Sequence, residues 1–490
     1  MIDTQAIRSK ILDLAMRGKL TEQLPEDGTA EELYRQIQKE KQALAHEGKI
    51  RGERPLPKIG ENEIPFAIPE NWKWIRLNEL GVFCGGKTPS MANKAFWKNG
   101  SINWVTSKDM KQKYITASEM MITEEAAREL NLLPAQTVLF VVRSGILRRL
   151  FPVAILKTNG TINQDLKALK LFIPGMCEFV YCLLKGFEAT ILFKYTKDGT
   201  TVHNIVFDDL LTMPVPLPPL AEQHRIVARI EQAFSALDTI DTLQAKYADN
   251  LAVLKSKLID AAIQGKLTKQ LPEDGTAEEL YRQIQAEKQS LIKAGKIKKE
   301  KPLPEISADE IPFEIPPNWK WVALGNITSK ITSGSTPSGG SKSDVYVSSG
   351  FPLFREQNIY DDGIHQAGMV FISAELLEKR QNSTVKAKDI LLNITGGSIG
   401  RCALVPDSFD RGSINQHILI IRTVEPETRF FIHMLICSPY VQSYIKSKAV
   451  GDKDGFSGGR CKRLLVPLPP LAEQKRIVAK LEEVLKMIEA

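Results

Sequence analysis

Apolar side chains fall at positions 226, 230, 233, 237, 240, 247, 251, 254, 258 and 261. With Gln244 filling one slot, the spacing alternates four and three through five heptads. That pattern predicts a long helix over about 222–264 carrying a coiled-coil seam. At ~1.5 Å per residue it is roughly 60 Å long. Pro218 and Pro219 suit its start and Gly265 its end. Two more helices are expected, from Thr29 to about His46 and from Thr276 to about Lys293. In both, "DGTAEEL" supplies a turn, an N-cap and acidic residues in the first turn. Elsewhere the period changes. Short runs rich in β-branched residues predict strands at 137–142, 152–157, 166–173, 389–394 and 417–422, with helices near 176–193 and 426–446.

The pattern is written twice. Residues 20–49 and 267–296 agree at 24 of 30 positions, at an offset of 247. "IPFAIPENWKW" (64–74) returns as "IPFEIPPNWKW" (311–321), and "PLPPLAEQHRIVARIE" (216–231) returns as "PLPPLAEQKRIVAKLE" (467–482), now at offset 251. Near-identical helical frames therefore flank two dissimilar mixed α/β inserts. The expected boundaries are a helical region 1–74, an insert 75–213, a central helical region 214–321, a second insert 322–464 and a terminal helix 465–490. The fold class is α/β (mixed α+β), with two pseudo-symmetric globular domains separated by long antiparallel helices. Residues 472–490 match the first half of the central helix and residues 4–18 its second half. This predicts that the chain ends meet and close the body, and that removing residues 1–18 weakens assembly with partners.

Size and composition add little that is specific. The 490 residues suffice for two to four domains, and 43% hydrophobic with 25% charged residues is ordinary for a packed soluble protein. No apolar run is long enough to cross a bilayer, and the first 20 residues lack an apolar core of the signal-peptide kind. The six cysteines form no C-x-x-C pair, so a cytoplasmic setting with free thiols is expected. A net charge of +7 permits a polyanionic partner without demanding one.

Two motifs suggest chemistry and fail against the duplication. "GVFCGGKT" (81–88) fits the phosphate-loop pattern. Yet Pro89 follows directly, and the second copy has "GSTPS" (334–338) where the first has "GKTPS" (86–90). "GGSIG" (396–400) fits a nucleophile elbow, but the first insert has "SGILR" (144–148) there, and "IGRCALVP" predicts a strand in place of the required helix. The six histidines show no zinc spacing, so no metal is expected. What both inserts retain is Gly-x-Thr-Pro-Ser and Ile-Asn-Gln, among scattered cations, amides and hydroxyls able to meet phosphates and base edges. The candidate DNA-binding residues in the first insert are Lys87, Thr88, Ser90, Lys108, Arg143, Ser144, Arg148, Asn163 and Gln164, interleaved with Trp97, Trp104 and Tyr114. In the second they are Ser335, Thr336, Arg355, Gln357, Asn358, Thr395, Ser398, Arg401, Asn415, Gln416, Lys453 and Arg460.

The two "PLPPLAEQ-x-RIVA" helices, the "W-x-W" entry to each insert, "G-x-TPS" and "INQ" together resemble the specificity subunit of type I restriction-modification systems, over essentially the whole chain. The resemblance implies two target recognition domains, each reading one half of a split, asymmetric site in double-stranded DNA. It implies frames that fix the spacer and dock two modification (methyltransferase) subunits, which carry S-adenosylmethionine and methylate adenine by base flipping. It implies restriction subunits, with motor and nuclease activity, that use ATP and Mg. This chain itself would hold no cofactor and catalyse nothing. Two other readings stand beside it: a coiled-coil protein-interaction scaffold without DNA specificity, and a phosphate-loop protein using Lys87 and Thr88. Steep salt dependence of duplex binding separates the first, and ATP binding by a Lys87→Ala variant the second.

Overall fold

A computed structural model describes residues 1–50, 57–197, 202–335, 345–448 and 455–489. Contacts divide the chain into two units, Met1–Ala245 and Lys246–Ala490. The boundary lies inside the central helix, Leu220–Ile263, one residue past Gln244. Each unit thus holds one insert together with the frame helices packed on it.

In the first unit the N-terminal helix Thr4–Met16 runs antiparallel to the first half of the central helix. Thr4 Oγ1 donates to Asp241, and Arg8 pairs with Asp238 and Asp241 at 2.7 and 2.9 Å. The helix Ala30–His46 begins at a capping box in which Thr29 accepts from Glu32 N and Glu32 accepts from Thr29 N. Thr276 and Glu279 repeat that box at the helix Ala277–Lys293 of the second unit.

The chain enters and leaves each insert through a two-stranded antiparallel ribbon, Lys73–Arg76 on Pro214–Leu217 and Lys320–Ala323 on Leu465–Leu468. Beyond the ribbon, the first insert orders a five-stranded sheet as Gly81–Gly85, Leu166–Leu171, Thr137–Val141, Val153–Leu156 and Tyr114–Ile115. The second orders Thr328–Ser333, Ile418–Thr423, Ile390–Asn393 and Cys402–Leu404 in the same sense. The helices Cys177–Gly186 and Arg429–Ile436 bury their apolar faces against these sheets and the frame helices. At Gly186 a Cβ would stand 2.8 Å from Met16 Cγ, so the N-terminal helix lies directly on the first insert. All six cysteines are free thiols. Among the described residues no helix is long and apolar enough to cross a membrane.

The heptad seam is covered only toward its ends. Ile226, Ile230 and Leu237 are buried in the first unit. In the middle, Tyr247 and Leu254 are 61% and 43% exposed. Toward the far end the buried residues are Ala262 and Ile263, one step past the expected Ala261, and their counterparts Ala15 and Met16 are buried in the N-terminal helix. A straight helix drifts about 20° per heptad against a strict seven-residue repeat, so the covered face rotates along the rod.

The repeated motifs of each frame converge on one buried carboxylate. Glu222, from the first "PLPPLAEQ", is fully buried. Its Oε2 accepts from the Trp72 indole Nε1 at 2.8 Å, and its Oε1 accepts from Gln23 Nε2 at 2.7 Å and Thr21 Oγ1 at 3.2 Å. Glu473 does the same in the second unit with Trp319 Nε1 at 2.9 Å and Gln270 Nε2 at 3.0 Å. Beside each node the chain turns through a glycine in the left-handed region, Gly18 at φ +66° and Gly265 at φ +70°, where a Cβ would stand 2.4 Å from the ring of Pro69 or Pro316. One residue type supplies both the angle and the space. Removing the carboxylate strands the buried indole N–H, at about 1–3 kcal/mol, and loses the hydrogen bonds of the exposed glutamine and its neighbours, at about 0.5–1.5 kcal/mol each. Glu222→Ala is therefore expected to destabilise the first unit by about 2–4 kcal/mol in urea unfolding followed by hydrogen exchange. Glu473→Ala should do the same to the second. A loss below ~0.5 kcal/mol, the scale of ordinary surface changes, would contradict this account.

Candidate nucleic-acid interface

The two motifs that recur in both inserts meet in space. In the first unit, Gly86 lies so close to the strand Gly160–Ile162 that a Cβ would stand 2.0 Å from Ile162 O and 2.3 Å from Asn163 O. Lys87 N donates to Ile162 O at 3.1 Å, and Thr88 Oγ1 donates to Gln164 Oε1 at 2.6 Å. Gly334 repeats the approach, with a Cβ 2.1 Å from Ile414 O and 2.5 Å from Asn415 O.

Three further loops join this pair, with matching backbone hydrogen bonds in the two units. Asn163 N donates to Val105 O at 3.0 Å, as Asn415 N does to Phe354 O at 3.1 Å. Val142 N donates to Asp165 O, as Ile394 N does to His417 O, both at 2.9 Å. Ile205 N donates to Val142 O at 2.8 Å, as Phe456 N does to Ile394 O at 3.0 Å. Thr106 N is capped by Asp109 Oδ2 at 2.8 Å, as Arg355 N is by Asn358 Oδ1 at 3.0 Å. These pairings make Lys108 and Gln357 equivalent positions, both exposed.

On this common backbone the side chains differ. The first unit presents Lys87, Thr88, Lys108, Arg143, Arg148 and Gln164 at the surface. Arg148 Nε lies 2.9 Å from His203 Nε2, on the strand that pairs with Arg143–Ser144. The second unit presents Ser335, Gln357 and Gln416, with Thr395, Ser398, Arg401 and Arg460 half-buried. Thr395 Oγ1 bonds His417 Nδ1 at 2.5 Å, and the Arg401 guanidinium lies over the Tyr360 ring, 4.5 Å from its centroid. Arg355 donates to Gly368 O, and Arg460 Nη1 donates to Lys448 O. Four cationic side chains face outward in one copy, and mostly amides and hydroxyls in the other.

Several sequence expectations are corrected. Asn163, Asn358 and Asn415 are buried, and their amides serve the loops. Asn163 bonds Asp165, Asn358 donates to the carbonyls of His365 and Ala367, and Asn415 donates to Glu356 Oε2 at 2.9 Å. Ser144 Oγ caps Ile146 N, while Ser90 remains exposed, with its backbone carbonyl accepting from the Trp97 indole. Trp104 is buried against Trp97, edge to face at 5.0 Å, and offers no open ring for stacking. Thr336 and Lys453 lie outside the described residues.

The phosphate-loop match also fails structurally. Its leading residues form the strand Gly81–Gly85, antiparallel to Leu166–Leu171, and no helix opens after Thr88. The glycines serve sheet packing, since a Cβ at Gly81 would stand 2.2 Å from Lys170 O. Ser398 of "GGSIG" is followed by the strand Cys402–Leu404, and His417 is engaged by Thr395 and Gln416. Neither motif carries its chemistry here.

Glu356 went unnoticed in the sequence. Its backbone O accepts from Asn393 Nδ2 at 2.8 Å and its carboxylate from Asn415. Burial works to raise its pKa, but the Asn415 amide, a backbone N–H and the nearby His417 and Arg355 hold it below the usual Glu range. It is therefore an anion at neutral pH. Pairing "TSKD" (106–109) with "REQN" (355–358) would have revealed this loop, but the two share no residue type at any position.

The close glycine contacts are directly testable. Gly86→Ala should force the Gly86–Ser90 loop off its strand, speed hydrogen exchange at Lys87 N and cost about 1–3 kcal/mol, the scale of overpacking. Gly334→Ala should act likewise in the second unit. Wild-type exchange at Lys87 in the variant would show that the backbone approach is not what fixes the loop.

Comparison with known proteins fits this doubled arrangement. The type I restriction modification DNA specificity domain matches twice, at residues 69–246 and 316–490. The EcoAI specificity subunit of Escherichia coli is 26% identical, over 98% of this chain and 88% of that protein. The EcoR124I/EcoR124II specificity subunit, also from Escherichia coli, is 36% identical over 36% of this chain and 43% of that one. A chain from a structural study of assembly and conformational transition in the type I R-M system shares the fold with a TM-score of 0.59 at 17% identity, over 87% of this chain and 93% of that chain. With the domain matched in both units and over more than half its length, the chain belongs to the type I restriction-modification DNA specificity family.

Proposed function

We propose that this chain is the DNA specificity subunit of a type I restriction-modification complex, in which each unit reads one half of a bipartite, asymmetric duplex site. One observation carries the reading: the same five loops, fixed by the same backbone contacts, present different side chains in the two units. Outward lysines and arginines in the first unit suit phosphates and guanine edges. Amides and hydroxyls in the second suit a different set of base edges. A reader of two unlike half-sites requires this combination, whereas a symmetric site would call for matching side chains.

The rest of the reading follows from the family. The frames dock two modification subunits, which supply S-adenosylmethionine and methylate adenine after flipping it from the stack. Restriction subunits using ATP and Mg join for cleavage. The specificity chain positions the reaction and performs no chemical step. The central helix, shared by the two units, sets the spacer.

Sequencing of methylated positions in DNA modified by the assembled complex is expected to reveal one bipartite motif with two dissimilar halves. A palindromic or continuous motif, or none, would overturn the reading. Insertion of one heptad beside Gln244 adds about 10 Å of helix, roughly three base-pair steps. It should lengthen the spacer and leave both half-sites unchanged. An unaltered spacer would remove the helix from that role.

A further inference from the structure

We propose that Arg380 contacts a backbone phosphate of the duplex, from a seat in which it also holds the Gly334–Ser335 loop of the second unit. The proposal rests on the reading above, that this face meets DNA. Arg380 follows the short helix Ala374–Glu378 and is half-buried. Its Nε donates to Ser413 Oγ at 3.0 Å, Nη1 to Ser335 Oγ at 3.2 Å and Nη2 to Ile414 O at 2.9 Å, with a further contact from Nη2 to Ser335 O. Every one of these acceptors is neutral. Among the described residues of the unit, Arg422 has Asp389, Arg429 has Asp407 and Glu427, and Arg476 has Asp274. The half-buried Arg355, Arg401 and Arg460 share with Arg380 neutral partners. Arg380 differs from those three in being held by four hydrogen bonds. A partly desolvated cation fixed in place with no carboxylate partner among the described residues is suited to an incoming anion. Burial pushes its pKa down, with Tyr346 as the opposing influence.

The first unit shows that holding the loop does not require an arginine. Leu130 lies seven residues after its N-cap Thr123, as Arg380 lies seven after Ser373. A cavity of about 280 Å³ lies at this place, lined by Gly86, Lys87, Arg128, Leu130 and Ile162 among others. There the loop is held by the neutral Trp104 indole, whose Nε1 donates to Lys87 O at 3.1 Å. Two cations, Lys87 and Arg128, and one acid, Glu129, line that cavity, so the first unit also sets cations beside the same loop, from different positions in the sequence. What an arginine adds over an indole at this seat is charge.

The test uses the complete chain assembled with its modification subunits, on a duplex carrying the site found by methylation mapping. Affinity is measured against salt for wild type, Arg380→Gln and Arg380→Lys, and on duplexes with single neutral methylphosphonates through the second half-site. Arg380→Gln should weaken binding at least tenfold and reduce the steepness of the log–log salt plot by about one, the loss of one phosphate contact. Arg380→Lys should keep the wild-type slope. One methylphosphonate should weaken wild type about tenfold and Arg380→Gln hardly at all. An unchanged slope in Arg380→Gln, or equal sensitivity of both proteins at every phosphate, overturns the proposal while leaving the specificity reading intact. Wild-type complex with no salt-dependent duplex binding sinks the specificity reading itself. If Arg380→Gln fails to assemble, the scan on wild type and Arg380→Lys decides: a shared sensitive phosphate in the second half-site supports the contact, and its absence overturns it.

Discussion

The structure depends on a carboxylate placed where water cannot reach it. Glu222 and Glu473 are wholly buried, and each gathers an indole N–H and a glutamine amide from segments far apart in sequence. An unsatisfied group of this kind is far more costly than a satisfied one is stabilising. The arrangement therefore acts chiefly as a constraint: the mutual placement of the proline-led helix, the tryptophan entering the insert and the turn after the preceding helix is the one that pairs both carboxylate oxygens. Arg225 with Asp27 and Arg476 with Asp274 brace the same junction in the two units. From that junction the ribbon carries the chain into the insert with its register already set.

The loops above the ribbon show a second division of labour. Their positions are fixed by backbone-to-backbone bonds and by glycines with no room for a Cβ, features that do not depend on which side chains lie beside them. Of the polar residues common to both copies, Asn163 and Asn415 are drawn inward to the loops, while Gln164 and Gln416 stay at the surface. Other outward residues are left to differ. A rigid support with exchangeable contact groups is how a binding surface changes target without losing its geometry.

Much of this was legible in the chain. The long helix, the capped helices at Thr29 and Thr276 and the main strands follow from periodicity and turn residues, because each is decided by neighbours close in sequence. The duplication alone marks the motifs at Lys87 and Ser398 as false, because in each case the other copy lacks the defining residue. Other features were hidden for physical reasons. Whether an asparagine turns inward or outward is settled by partners far along the chain, as Asn415 is by Glu356. The Glu222 node joins residues 150 positions apart, and no local pattern marks it. The seam was placed one residue off at its far end because a strict heptad ignores the slow rotation of a straight helix.

The neck of each insert has a further consequence. Lys73 faces Leu217 across the ribbon, and Lys320 faces Leu468, so the strand that leads in and the strand that leads out are bonded neighbours. Tryptophan and glutamate are separated by 150 residues in one copy and 154 in the other, yet they meet in the same way. Four additional residues are absorbed wholly above the neck. A segment whose two ends are already held side by side can grow, shrink or be replaced outright, and the supporting helices register no change.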